Sequence, residues 1–155
     1  MTRKMLAFLF TFMVGAIVGR VAIPSAGAQA QSHKSIFMTR LYTGPDNQTH
    51  AEEVEVKFTA GGTNDVSKMM QVTGAELHRA SPGRVSDWHR GPRRQYVITL
   101  SGQGEVEVAG GKKIALGPGH IDLVEDTTGK GHITRDTGTE DRVTLTLPLA
   151  DQSGR

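Results

Sequence analysis

The sequence predicts an all-β domain, a sandwich or barrel of short strands. Three observations carry this reading. Apolar residues recur at every second position in several segments, glycine-rich turns separate those segments, and beyond residue 30 no window keeps apolar residues at helical spacing over three turns.

Taken in chain order, "EEVEVKF" alternates Val54, Val56 and Phe58 with charged neighbours, as a strand with one buried face does. "QYVITL" and "EVEV" have the same period of two and read as the arms of a hairpin across "SGQG", with Gln95 on the face of Val97 and Thr99. "HIDLV" sets Ile121 beside Leu123, and "RVTLTLPL" puts Val143, Leu145 and Leu147 on one face and Thr144 and Thr146 on the other. Turn signals stand between them: "GPDN", "AGG" at 60–62, "SPG", "SGQG", "AGGK", "GPG" and "TTGKG".

The first thirty residues have a different character. "TRK" precedes an apolar run, Met5–Gly19, and "AGAQA" supplies small residues at Ala28 and Ala30, the layout of a secretory signal cleaved after Ala30. An uncleaved anchor is the alternative, but a run of 15 residues ended by Arg20 is shorter than the roughly 20 that span a bilayer. The expectation is a periplasmic or secreted domain with no membrane attachment once the signal is removed. That segment holds Arg3, Lys4 and Arg20 and no acid, so taking these three from the net charge of +2 leaves the rest at −1. Nucleic-acid binding needs a basic footprint, and this remainder lacks one. There is no cysteine, so no disulfide or lipidated cysteine supports the fold. The expected organisation is a signal at 1–30, N-terminal strands packing on a barrel at 31–69, the barrel at 70–148 and a tail at 149–155.

Two segments carry the chemistry. In "WHRGPRRQYVITLSGQG", His89 stands six residues before Gln95 and Gly102 follows; in "GKKIALGPGHIDLVEDTTGKGH", Gly111 and the glycines of "GPG" lead to His132. This pair resembles the two motifs of the cupin superfamily, a small exported single-domain branch with WHxxPRRQY and EDTTGKGH, over about residues 70–148. The resemblance implies a cupin-like double-stranded β-helix, a jelly-roll barrel. It also implies a metal site at His89, Gln95 and His132, with Gly91 where the family's first motif has its second histidine, Gln95 in place of the glutamate, and Asp136 at the asparagine position. Two histidines and an amide bring no ligand charge to a divalent ion, so Mn, Fe, Zn or Ni would bind more weakly than in the full set. His50 is a candidate additional ligand. His78 is another histidine outside the motifs, and Glu125 and Asp126 are the candidate proton-transfer groups.

Two further signals are weaker. Arg90, Arg93 and Arg94 cluster in "HRGPRR", and solvated positions at a strand edge account for them. "TTGKG" lacks the nucleotide-binding pattern, with Val124 where the first glycine belongs and Gly131 after Lys130. Two functions follow from the resemblance. One is a metal-dependent enzyme of dioxygenase, lyase or isomerase type acting on a small organic molecule. The other is a metal-free binding or sensing module for a small ligand. A homodimer is a further expectation of the resemblance.

Overall fold

The computed structural model describes residues 33–150; residues 1–32, on which the expected signal falls, and residues 151–155 lie outside them. Twelve strands form in order: β1 (Phe37–Thr43), β2 (Thr49–Glu55), β3 (Phe58–Thr59), β4 (Val66–Ser67), β5 (Glu76–Ala80), β6 (Val85–His89), β7 (Gln95–Ser101), β8 (Gly104–Glu107), β9 (Lys113–Leu116), β10 (Ile121–Glu125), β11 (His132–Asp136) and β12 (Arg142–Pro148).

Pairing of the last eight strands follows one rule. β8 pairs with β9, β7 with β10, β6 with β11 and β5 with β12, all antiparallel, so the chain runs out along one ribbon and returns along its partner. The double ribbon is then wound so that β12 also pairs with β7, and β11 with β8. Two sheets result, β2-β1-β10-β7-β12-β5 and β6-β11-β8-β9. This nested order is a jelly roll.

Several expectations need correction. β7 and β8 are not a hairpin; they belong to different sheets, and "SGQG" is a crossover between them. Alternation reads alike in a hairpin arm and in a strand that crosses to a facing sheet, because side-chain period does not encode the partner. Gly102 makes the corner, with φ +76° and no room for a Cβ, which would come within 2.6 Å of the Arg142 Cα. The strand at 52–58 ends early, at Glu55, and Phe58 is exposed in a separate two-stranded ribbon, β3–β4. β1 and β2 do not pack on the barrel but extend its larger sheet, β1 lying parallel to β10. The tail begins later than residue 149, since the backbone N–H of Leu149 and Ala150 donate to Arg94 and Gln71.

The polarity of the faces is the main finding. On β12 the threonine face turns inward: Arg142, Thr144 and Thr146 are buried, and Val143, Leu145 and Leu147 lie on the other, partly exposed side. Register carries Leu145 next to Leu77 on β5 and Ile98 on β7, and Ile98 next to Ile121 on β10, so an apolar row crosses the outer face. Among the described residues eleven polar or charged ones are buried against eight apolar ones, so the interior is not an ordinary hydrocarbon core. The apolar cluster of Leu41, Val106, Val108, Leu116 and Val124 walls only part of it, with Val97 and Ile114 packed alongside. Burial of each such side chain contributes about 1.5–3 kcal/mol.

Thr99 shows what a polar interior involves. It is 1% exposed, and its Oγ1 has no hydrogen-bond partner. A buried hydroxyl left unpaired costs about 1–3 kcal/mol, and valine has nearly the same shape. Thr99→Val should therefore leave the melting temperature unchanged or raise it. A loss of about 1 kcal/mol or more in chemical denaturation would show instead that the hydroxyl is bonded in the native state.

Candidate functional site

The polar inner face lines a cavity of about 170 Å³ inside the barrel, small beside the roughly 300–1,000 Å³ of drug-sized sites. Its wall includes His89, Gln95, Val97, Asp122, His132 and Thr144.

His132 begins β11 and stands directly across from His89, the last residue of β6. The two ring centroids, expected within about 5 Å for atoms sharing one ion, are 4.5 Å apart. Gly131 makes this register possible. It has φ +82°, and a Cβ there would come within 2.1 Å of the His89 carbonyl oxygen, so only glycine lets the two backbones approach. The loop before it is tied down: Thr43 Oγ1 donates to the Thr128 carbonyl at 3.0 Å, Lys130 N–H to the Asn47 carbonyl at 3.1 Å, and Lys130 Nζ lies 3.7 Å from the centroid of the Trp88 ring.

Each imidazole is fixed through Nδ1. His132 Nδ1 donates to Asp126 Oδ2 at 2.6 Å, and His89 Nδ1 donates to the Asp87 carbonyl oxygen at 2.8 Å. A carboxylate and a carbonyl can only accept, so in the neutral ring the proton sits on Nδ1 and Nε2 keeps its lone pair. Asp126 is fully buried, and the same Oδ2 accepts Thr49 Oγ1 at 3.0 Å. Burial pushes the His89 pKa down from 6.5, reinforced by the neighbouring His132 and only partly opposed by the Asp87 carbonyl. That keeps the His89 lone pair free to higher proton concentration.

Gln95 is 8% exposed and lines the cavity with Val97, and Thr99 on the same strand face is buried. Its Oε1 accepts Arg93 Nε at 3.3 Å. The residues from Arg90 to Arg94 carry the chain from one sheet to the other, so the shared orientation of His89 and Gln95 comes from that bend and not from strand parity. Gly91 cannot be a disguised ligand position, because any Cβ there would lie 2.5 Å from Val124 Cγ1 in the core.

The other candidates fall elsewhere. His50 lies on β2, outside the cavity wall, hydrogen-bonded to Asp46 at 2.9 Å. Glu125 does not line the cavity; it joins Arg40 at 2.6 Å and Arg94 at 3.0 Å. Burial pushes its carboxyl up, but hydrogen bonds from Arg94 and Arg40 outweigh this and hold it below the ordinary glutamate value. So Arg94 has a structural ion pair, whereas Arg93 reaches Gln95 and Glu76. Asp126 positions His132, a role the sequence did not distinguish from proton transfer. Sequence reasoning also missed Arg84, Asp122 and Arg142, and the signal for Arg142 was present: it shares parity with Thr144 and Thr146.

The resident group implied by the resemblance is a divalent ion. With Nδ1 of each ring held by a carbonyl or a carboxylate and the centroids 4.5 Å apart, Nε2 is the atom of each ring that would hold one, as in ligating histidines whose outer nitrogen is so held. Among the described residues no group of three His, Cys, Asp or Glu is placed to hold a metal, so any ion here would have two imidazoles and at most the Gln95 amide from the protein. The fit is to a weakly held ion.

A nested double ribbon with the histidine pair inside it decides the architecture. The fold is a cupin-like double-stranded β-helix, a jelly roll. No protein-family model matches the chain, and no curated protein matches it. Among solved structures the chain is similar to a cupin domain from Bordetella pertussis, at 18% identity over 54% of this chain and 93% of that one, TM-score 0.41. It is also similar to an uncharacterized double-stranded β-helix protein from Klebsiella pneumoniae, at 19% identity over 54% and 84%, TM-score 0.39. A third is a protein of unknown function from Streptococcus pyogenes, at 16% over 56% and 72%, TM-score 0.41. The strand order of this barrel carries the fold on its own.

The His89 environment sets a pH dependence. With a folded pKa below 6.5, the native state binds fewer protons than the unfolded chain as pH falls through 6.5, so stability is fully present above that value and declines on acidification. His89→Gln should flatten the difference between denaturation free energies at about pH 5 and about pH 7.5. An unchanged slope would show that other groups set it.

Proposed function

We propose that this cupin barrel takes a small organic molecule into its cavity against His89 and His132, with a divalent ion on their Nε2 atoms, and acts as a metal-dependent enzyme. One observation carries the reading: both rings are locked by their Nδ1 partners so that two lone pairs are left beside each other on the cavity wall. A bound ion would supply Lewis-acid polarisation or oxygen activation. The chain's own residues do the rest. Asp126 orients His132, the Thr144 and Thr146 hydroxyls offer hydrogen bonds, and Val97, Val106 and Leu116 exclude water from one wall. The N-terminal segment supports action outside the cytoplasm.

A second reading, a metal-free binding module, is favoured by the same ligand set: Gln95 brings no charge and its oxygen is already engaged by Arg93. Thermal melts with and without added manganese, iron, zinc or nickel separate the two. The enzyme reading predicts an ion-dependent rise in melting temperature that His132→Ala abolishes. It predicts a larger rise for Gln95→Glu, since an anionic ligand offsets the cation. A flat response to every ion in wild type and in Gln95→Glu would leave the metal-free module.

A further inference from the structure

Two arginines, Arg84 and Arg142, stand on the cavity wall, whose acid, Asp122, is hydrogen-bonded to His120 at 3.1 Å and not to either of them. β11 runs from His132 to Asp136, and the arginines gather at the Asp136 end, away from the histidine pair. There the buried Asp136 serves both guanidiniums, accepting Arg84 Nε on Oδ2 at 2.8 Å and Arg142 Nη1 on Oδ1 at 3.2 Å. One carboxylate between two cations leaves an excess positive charge.

Arg142 makes that excess consequential. Its side chain is 6% exposed, whereas that of Arg84 is 46% exposed and also donates to Ser86 Oγ at 2.6 Å. The Arg142 stem lies against Gly104, where a Cβ would come within 3.0 Å of its Cδ and Nε, so the sequence makes room for a large cation in the interior. Yet its hydrogen bonding is incomplete: Nη1 meets Asp136 at one oxygen, and Nε has no partner. A buried guanidinium bound at one donor retains the fork that planar anions match.

We propose that the molecule received by this cavity carries a carboxylate, bound by Arg142 and Arg84 at the Asp136 end. Val97, Val106 and Leu116 on the same cavity wall suit the carbon body of an organic acid over an inorganic anion. The inference rests on the cavity being a small-molecule site. It does not need the ion, although an anionic ligand would bring the charge that Gln95 withholds.

The test uses chelator-treated protein, with thermal melts and titration calorimetry against acetate, succinate and benzoate, the corresponding amides, and inorganic phosphate. At least one carboxylate should bind and raise the melting temperature where its amide does not. Arg84→Gln, at a half-exposed position, and Arg142→Lys, which keeps the charge but removes the fork, should each weaken that binding roughly tenfold, the weight of a charge-assisted hydrogen bond. Near-UV circular dichroism verifies that each variant is folded. Equal response to acids and amides, no response to any acid at millimolar concentration, stronger binding of phosphate than of every carboxylate, or undiminished binding by folded Arg84→Gln would each overturn the proposal. Ion-dependent stabilisation with no response to acids sinks this inference alone. Response to acids with no response to ions sinks only the metal reading.

Discussion

The close approach of Gly131 to the His89 carbonyl oxygen is the constraint on which the site depends. It allows β11 to start with His132 directly opposite His89, and it brings the preceding loop, with Asp126 at its head, against the outer nitrogen of the His132 ring. Shift that register by one residue and His132 would turn to the other face of its sheet, because side chains alternate along a strand. The hydrogen bonds to Thr128 and Asn47 and the placement of Lys130 over Trp88, which tie the loop down, hold a geometry that glycine makes available.

Polarity inside the barrel is the second theme. A small domain without disulfides ordinarily depends on an apolar interior. Here the hydrocarbon cluster is confined to one part of the barrel, and most other inward positions carry threonine, aspartate, histidine, glutamine or arginine. Such an interior is stable only if its groups pair, and most of them do: Asp126 with Thr49 and His132, Asp136 with two arginines, Asp122 with His120. The exceptions, Thr99 Oγ1, Asp126 Oδ1 and Arg142 Nε, lie in the same polar interior. The arrangement gives up apolar burial for a wall of hydrogen-bonding groups.

Much of the fold was legible in the sequence, and for identifiable reasons. Period-two alternation located β7, β8, β10 and β12, and the glycine turns separated them. The pairing partner was not legible, which is why "QYVITLSGQGEVEV" read as a hairpin although its two strands sit in different sheets. On β12 the faces were correctly divided but nothing local marked the threonine side as the inner one, since burial of apolar groups is the ordinary rule and this domain departs from it. His89, Gln95 and His132 were found by their spacing around glycines, and the structure brings all three to one cavity. His50 and Glu125 were not brought there. Each is a polar residue next to a turn or loop, and sequence position does not say which side of the sheet such a residue serves.

The site rests on a tautomer: in its neutral form each histidine carries its proton on Nδ1 and keeps the lone pair on Nε2. Nitrogen-15 NMR of the imidazole rings reads the tautomer of each directly, with His89→Gln and His132→Ala assigning the signals. At a pH where the rings are neutral, both His89 and His132 should give the signature of the Nδ1–H tautomer, with the His132 tautomer lost in Asp126→Ala. A neutral ring carrying its proton on Nε2 in either residue would contradict this, and with it the assignment of these two side chains to ligand or ion binding.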